Sequence, residues 1–202
     1  VVLVLDLGLM RGETQQNRFS VGTLVAVFGC AIAGAMAFGG THEAARSVAM
    51  LAVDPVLAWV KLALIVLAAM TVLVSASAKF TDHVGEYLAL ILLSTVGMML
   101  LVSSNDLLLV FISLELTSLS LYILTAFNKT QAKSAEAALK YFLFGGVAAA
   151  ITLFGISLIY GILGTTRFNG IYDQLSVMVA QGPLDPSVIA GLVLVIAGLG
   201  FK

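Results

Sequence analysis

Three charged side chains sit in apolar runs, where a charge needs an explanation. Glu115 lies near the middle of the run 105–127, which is long enough to cross a bilayer. A carboxylate at that depth is strongly destabilised unless it is protonated, paired or wetted. Lys140 lies inside the next apolar run, 135–161, and Lys202 stands at the end of another, 187–202. Opposite charges inside neighbouring membrane helices point to an ion pathway more readily than to a plain anchor.

The surroundings of each sharpen this. Glu115, Ser118 and Tyr122 follow one another at i, i+3 and i+7, which places a polar stripe on one face of an apolar helix. The plainer alternative is a protonated acid that only packs. Burial disfavours its charged form and a nearby cation favours it, so its ionisation would follow its neighbour's charge. Lys140 lies six residues beyond Ser134, a candidate N-cap, and four beyond Glu136 in the favourable Glu-to-Lys order. An interfacial ion pair with a snorkelling lysine is thus as good an account of Lys140 as a pathway role. Lys202 would sit about 22 Å along a helix counted from Ser187, too deep to snorkel from that end. Gly191, Gly198 and Gly200 before it suggest a broken or flexible helix.

Other polar residues carry less. Asp54 and Lys61, seven apart, share a face and read as a helix-end acid and a snorkelling or subunit-contacting lysine; Asp6 is a similar helix-end charge. His42 and His83 are single loop residues, not spaced as metal ligands. No Cys-x-x-Cys cluster, P-loop or Gly-x-Gly-x-x-Gly after a strand is present, so NADH, flavin, iron–sulfur or ATP binding by this chain is not expected. The lone Cys30 cannot form an internal disulfide.

The elements that must hold these charges are membrane helices. The chain is 60% hydrophobic and 10% charged, with a mean hydropathy of +1.10; soluble domains carry about 25% charged residues. Ten Lys/Arg against eleven Asp/Glu give no sign of nucleic-acid binding. The apolar runs are 1–10, 20–38, 55–76, 87–103, 105–127, 135–161 and 187–202, the first and last read as helices cut short. This predicts an all-α polytopic membrane bundle. Polar breaks fall at 11–18, 39–46, 77–84, 104–106 and 128–134. The longest connection, 164–187, holds Gly182-Pro183 and Asp185-Pro186, and its middle, 171–180, suits a short interfacial helix. Arg11, Arg18, Lys79, Lys129 and Lys133 lie in loops after the first, third and fifth runs; only Arg46 and Arg167 lie in the others. The first set should face the cytoplasm or its equivalent.

The pattern Asn105-Asp106, Phe111, Glu115, Ser118, Tyr122, then Ser134, Glu136, Lys140-Tyr141, Gly145, then Leu153–Gly161, Gly164 and Gly198 to Lys202 resembles the subunit N family of bacterial NADH–quinone oxidoreductase, respiratory complex I, with organellar counterparts. The likeness covers the chain and is strongest from about residue 100. It implies an antiporter-like inverted-repeat fold, shared with multisubunit sodium/proton antiporters. Residues 1–103 would be N-terminal membrane helices and 104–202 the proton-channel core, with helix 87–103 already part of the first repeat. Glu115, Lys140 and Lys202 would translocate protons. NADH, FMN, iron–sulfur clusters and quinone would belong to partner subunits, and neighbouring antiporter-like and small membrane subunits would flank the chain. The setting would be a bacterial inner membrane or an organellar energy-transducing one. The antiporter relatives typically carry a proline soon after the acid; here Ser118-Leu119-Ser120-Leu121-Tyr122 has none. An antiporter subunit, or a membrane subunit whose charges serve only as glue between helices, is the alternative.

Overall fold

The computed structural model describes residues 15–39, 50–52, 54–75, 83–128 and 130–202. They form the helices α1 (Gln15–Gly39), α2 (Pro55–Ser75), α3 (Val84–Ser103), α4 (Leu107–Thr125), α5 (Ala132–Leu163), α6 (Phe168–Gln181) and α7 (Pro186–Phe201). No strand occurs among the described residues, only two isolated bridges. The run 1–10 with Asp6, and Arg11, His42, Arg46, Lys79 and Lys129, lie outside the described residues.

Helices α2, α3, α4 and α5 are long and apolar enough to cross a membrane, with shorter apolar stretches at Ser20–Met36 and Pro186–Phe201. The 19 residues of α4 span about 28 Å, close to the roughly 30 Å of a hydrocarbon core. The 32 residues of α5 span about 48 Å, so part of this helix must extend beyond that core. Two helices start earlier than the hydropathy suggests. Gln15, Gln16, Asn17 and Arg18, expected as a break, form the first turn of α1, because helical propensity does not require apolar side chains. Helix α5 starts at Ala132 with Gln131 as N-cap, not at Ser134. Ser134 lies inside the first turn and its hydroxyl donates to the Thr125 carbonyl (2.5 Å).

Two apolar cores hold the helices. Ala26 of α1, Val72 of α2, and Val84, Leu88 and Ile91 of α3 form one. Ile156, Ile159 and Leu163 of α5 form the other with Val188 and Val195 of α7. Helix α6 lays Ile171, Leu175 and Met178 against this second core, one stripe at i, i+4 and i+7. That is the short amphipathic helix expected over 171–180.

The tight break at 104–106 is a junction of three chain segments. The Asp106 carboxylate, 1% exposed, accepts from the Leu108 and Leu109 amides (2.9 and 3.3 Å) and from the Thr166 hydroxyl (2.6 Å). It caps α4 and ties it to the start of α6 at once. The Leu107 amide donates to Thr166 and the Phe168 amide to Asn105. On the other side, the Ala52 amide donates to Ser103 and the Asn105 amide to Met50. The ends at 50–52, 103–106 and 165–168 therefore lie on one face of the bundle. At the opposite end Tyr87 meets Phe127 edge-on at 5.4 Å.

Candidate functional site: an acid–lysine pair between two helices

Glu115 is the ninth of the 19 residues of α4, next to its midpoint. Lys202 follows Phe201 at the end of α7. The two are 87 residues apart, and the Lys202 ammonium donates a hydrogen bond to Glu115 Oε1. The side chains are 14% and 23% exposed, respectively. A charge-assisted bond in such surroundings is among the stronger polar contacts available to a protein, and each charge offsets the desolvation of the other.

The scaffold that brings them together is the α5–α7 pair, the most extensive helix contact in the bundle. Gly155 and Gly191 face each other across it. A Cβ on Gly155 would come within 2.7 Å of the Gly191 carbonyl oxygen, and one on Gly191 within 2.9 Å of the Gly155 carbonyl oxygen. The glycines preceding Lys202 do not break the helix, as their number suggested. Helix α7 is continuous through Gly191, Gly198 and Gly200, and two of the three serve close packing instead: Gly191 on α5, and Gly198 against Thr152 and Ala148. Small residues do this in membranes, where backbones must approach closely for dispersion to hold helices together.

The polar stripe on α4 is real in space. Ser118 and Tyr122 are buried on the same face as Glu115. They line a cavity of about 90 Å³ together with Tyr141, Phe144, Gly145, Phe201 and Lys202. Tyr141 meets Tyr122 edge-on at 4.6 Å, and Phe144 lies 6.3 Å from Phe201. Lys140 is not part of the Glu115–Lys202 pair. Its ammonium donates to Glu136 Oε1 at 2.5 Å, an i, i+4 pair with side chains 65% and 64% exposed. It lies about 12 Å from the start of the long helix α5, consistent with a place near the membrane interface. Asp54 is a helix-end acid, accepting from the Val56 amide at 3.1 Å.

Sequence reasoning found Glu115 and Lys202 but not the part of Tyr141 and Gly145. The available signal was Tyr141 standing next to Lys140, with a glycine one turn on. Nothing in the spacing shows that a Cβ at 145 would collide with the Tyr122 hydroxyl.

A helical bundle with four helices long and apolar enough to cross a membrane, and an acid–lysine pair among them, defines the class: a multi-pass membrane protein with charge held among its helices. Residues 104–202 match the family model described as "NADH:quinone oxidoreductase/Mrp antiporter, TM". Over 98% of its length the chain is 37% identical to NADH-quinone oxidoreductase subunit N of Paramagnetospirillum magneticum, of which it covers 41%. Over 61% of its length it is 51% identical to subunit N 2 of Acidobacterium capsulatum, of which it covers 24%. Among solved structures it resembles a chain of respiratory complex I from Thermus thermophilus with bound aureothin. That match has a TM-score of 0.65 and 29% identity over 98% of this chain and 42% of that one. A chain of an archaeal membrane-bound sulfane sulfur reductase shares the fold at TM-score 0.72 and 24% identity, over 98% of this chain and 41% of that one. Residues 104–202 thus carry the antiporter-like membrane region that this model describes, and the chain as a whole resembles subunit N of NADH:quinone oxidoreductase. It spans about a quarter to two fifths of the length of the curated relatives it matches.

Proposed function

We propose that this chain is part of a proton-translocating membrane subunit of NADH:quinone oxidoreductase, with Glu115 and Lys202 as the charge pair that moves the proton. The observation that carries this is the direct contact of the two residues between α4 and α7, inside the apolar part of the bundle. While the contact holds, Lys202 keeps its proton; when the contact opens, the proton passes to a neighbouring site. Lys140, paired with Glu136 at the exposed start of α5, tunes the field or relays protons near the entrance. The driving energy comes from electron transfer in partner subunits that carry NADH, FMN, iron–sulfur clusters and quinone. It reaches this chain by conformational or electrostatic coupling. Neighbouring antiporter-like and small membrane subunits flank the bundle, in a bacterial inner membrane or an organellar counterpart.

In the assembled complex, Glu115→Gln should lower proton pumping per NADH oxidised at least tenfold, equivalent to about 1.4 kcal/mol, with assembly retained. Pumping that stays at the parental level would remove Glu115 from the mechanism. A sodium/proton antiporter would instead exchange the ions without dependence on NADH.

Orientation is tested separately. The excess of Lys/Arg in the loops after the first, third and fifth apolar runs puts Lys133 and Thr130 on the cytoplasmic side. With Cys30, the one cysteine among these 202 residues, and any other accessible cysteine replaced by alanine, a Thr130→Cys variant should resist an impermeant maleimide in intact cells. It should label once the membrane is permeabilised. Labelling in intact cells would invert the topology.

A further inference from the structure

A second space in the bundle lies away from the ion pair. A groove of about 450 Å³ opens between α1 and α3, with Ile65 of α2 at its base. Its lining is mostly apolar, and small residues make the room: Gly29 and Ala33 on α1, Ala89 on α3. A Cβ on Gly29 would meet nothing within 4 Å. The groove runs from Val25 to Ala33 on α1 and from Ala89 to Met99 on α3. At 1.5 Å per residue these are about 12 and 15 Å. That is close to half of the roughly 30 Å hydrocarbon core, the depth of one leaflet.

One end of the groove carries a charge. Lys61 precedes Ile65 by four residues and so shares its face of α2. It is half-buried, about 9 Å along the helix from Pro55. It has no ion-pair or hydrogen-bond partner among the described residues, and a lysine within a span calls for one. A Cβ on Gly34 would lie 3.5 Å from Leu62 Cδ1, which sets Lys61 level with the Ala33 end of the groove. That end leads to the junction of 50–52 with 103–105, where the Ala52 amide donates to the Ser103 carbonyl. Helical side chains point back toward the N-terminus of their helix, so the Lys61 stem carries its ammonium the same way, out of the apolar region. Trp59, exposed near this end of α2, sits at the depth interfacial tryptophans favour. Asp54, seven residues before Lys61 on the same face, is occupied at the helix start, accepting from the Val56 amide at 3.1 Å.

We propose that this groove is a phospholipid site, in which one acyl chain lies along Gly29, Ile65 and Ala89 and Lys61 pairs with the phosphate. A phospholipid brings both parts at the required separation: a phosphate at the edge of the core and a chain running one leaflet inward. A helix from elsewhere would have to supply a carboxylate at this depth, itself a costly placement. Basic residues between membrane helices hold lipid headgroups in this way. The chain gains dispersion contacts along the groove, and the charged hydrogen bond to the phosphate distinguishes a bound lipid from one passing by. The lipid would join α1, α2 and α3 through a group that none of them contributes.

The test uses the assembled complex containing the full-length chain, in nanodiscs made with dioleoylphosphatidylglycerol. The parent is compared with Lys61→Gln and with Gly29→Leu. Glutamine keeps much of the lysine stem. Leucine at 29 extends into open groove and is the better helix former, so both variants should assemble. A cryo-electron microscopy map of the parent should show an acyl chain along the groove and a phosphate within hydrogen-bond distance of Lys61 Nζ. The occupancy of that lipid should fall at least threefold in Lys61→Gln and vanish in Gly29→Leu, where the side chain takes the place of the acyl chain. An empty groove in the parent, a protein helix seated in it, or a chain whose phosphate lies out of reach of Lys61 overturns the proposal. Parental occupancy in Lys61→Gln overturns it as well.

Discussion

Lys202→Ala is expected to cut proton translocation in the assembled complex at least tenfold, and quinone reduction coupled to it, while the complex still assembles. The variant leaves the Glu115 carboxylate without its counter-charge in a site where its side chain is 23% exposed. Breaking a fully buried pair from one side costs about 3–5 kcal/mol; partial exposure brings this one below that range. With the partner gone, the contact on which the proposed proton transfer depends is gone too. Assembly should survive because the helices are held elsewhere, by the Gly155–Gly191 approach and the apolar core of Ile156, Ile159, Val188 and Val195. Lys202→Arg separates charge from proton release. Arginine keeps the ion pair, so its effect on structure should be milder, but it does not give up its proton, and pumping should stay low. The double variant Glu115→Ala, Lys202→Ala decides between mechanism and glue. Removing both charges relieves the uncompensated acid, so full pumping there would reduce the pair to a structural contact. Proton uptake measured with a pH-sensitive dye in proteoliposomes, normalised to NADH oxidised, reads all three.

What was legible in the sequence was what depends on local composition. Apolar runs bounded by Ser, Asn, Asp, Gly and Pro located α2 to α5 and α7 to within a few residues, because hydropathy is what a bilayer selects. Glu115 and Lys202 stood out because a charge in an apolar run needs an explanation wherever it occurs. The three-segment junction at Asp106 was not legible. A tight turn is visible in Ser104-Asn105-Asp106, but its partner Thr166 lies 60 residues away. Ser134 looked like a cap because its residue type favours that place; the Thr125 carbonyl claimed its hydroxyl instead. The glycines of α7 were misread for a related reason. Glycine permits both flexibility and close approach, and only the position of α5 decides between them.

That distinction yields the second large effect. Gly155→Ala should destabilise the bundle, while Gly161→Ala on the same helix should not. Alanine is the better helix former by about 1 kcal/mol, so propensity alone predicts that both gain. At Gly161 a Cβ meets nothing within 4 Å, and the gain stands. At Gly155 it would lie 2.7 Å from the Gly191 carbonyl oxygen, 2.8 Å from the Val195 amide nitrogen and 2.9 Å from Leu194 Cβ. Two of these are backbone atoms of α7, which cannot turn aside as a side-chain tip would. The whole helix must move, and overpacking of this kind costs about 1–3 kcal/mol. Because Lys202 ends that helix, the displacement also carries its ammonium away from Glu115 on α4. Gly155→Ala should therefore lower both the thermal stability of the detergent-solubilised complex and its pumping per NADH oxidised, and Gly161→Ala neither. Replacing Gly191 by alanine in addition should worsen the defect, since its Cβ would meet the Gly155 carbonyl oxygen and Ile159 Cγ1, each at 2.9 Å. If Gly155→Ala were as stable and as active as the parent, α5 and α7 would not be held at this distance in the assembled protein, and the route by which α7 presents Lys202 to Glu115 would have to be different.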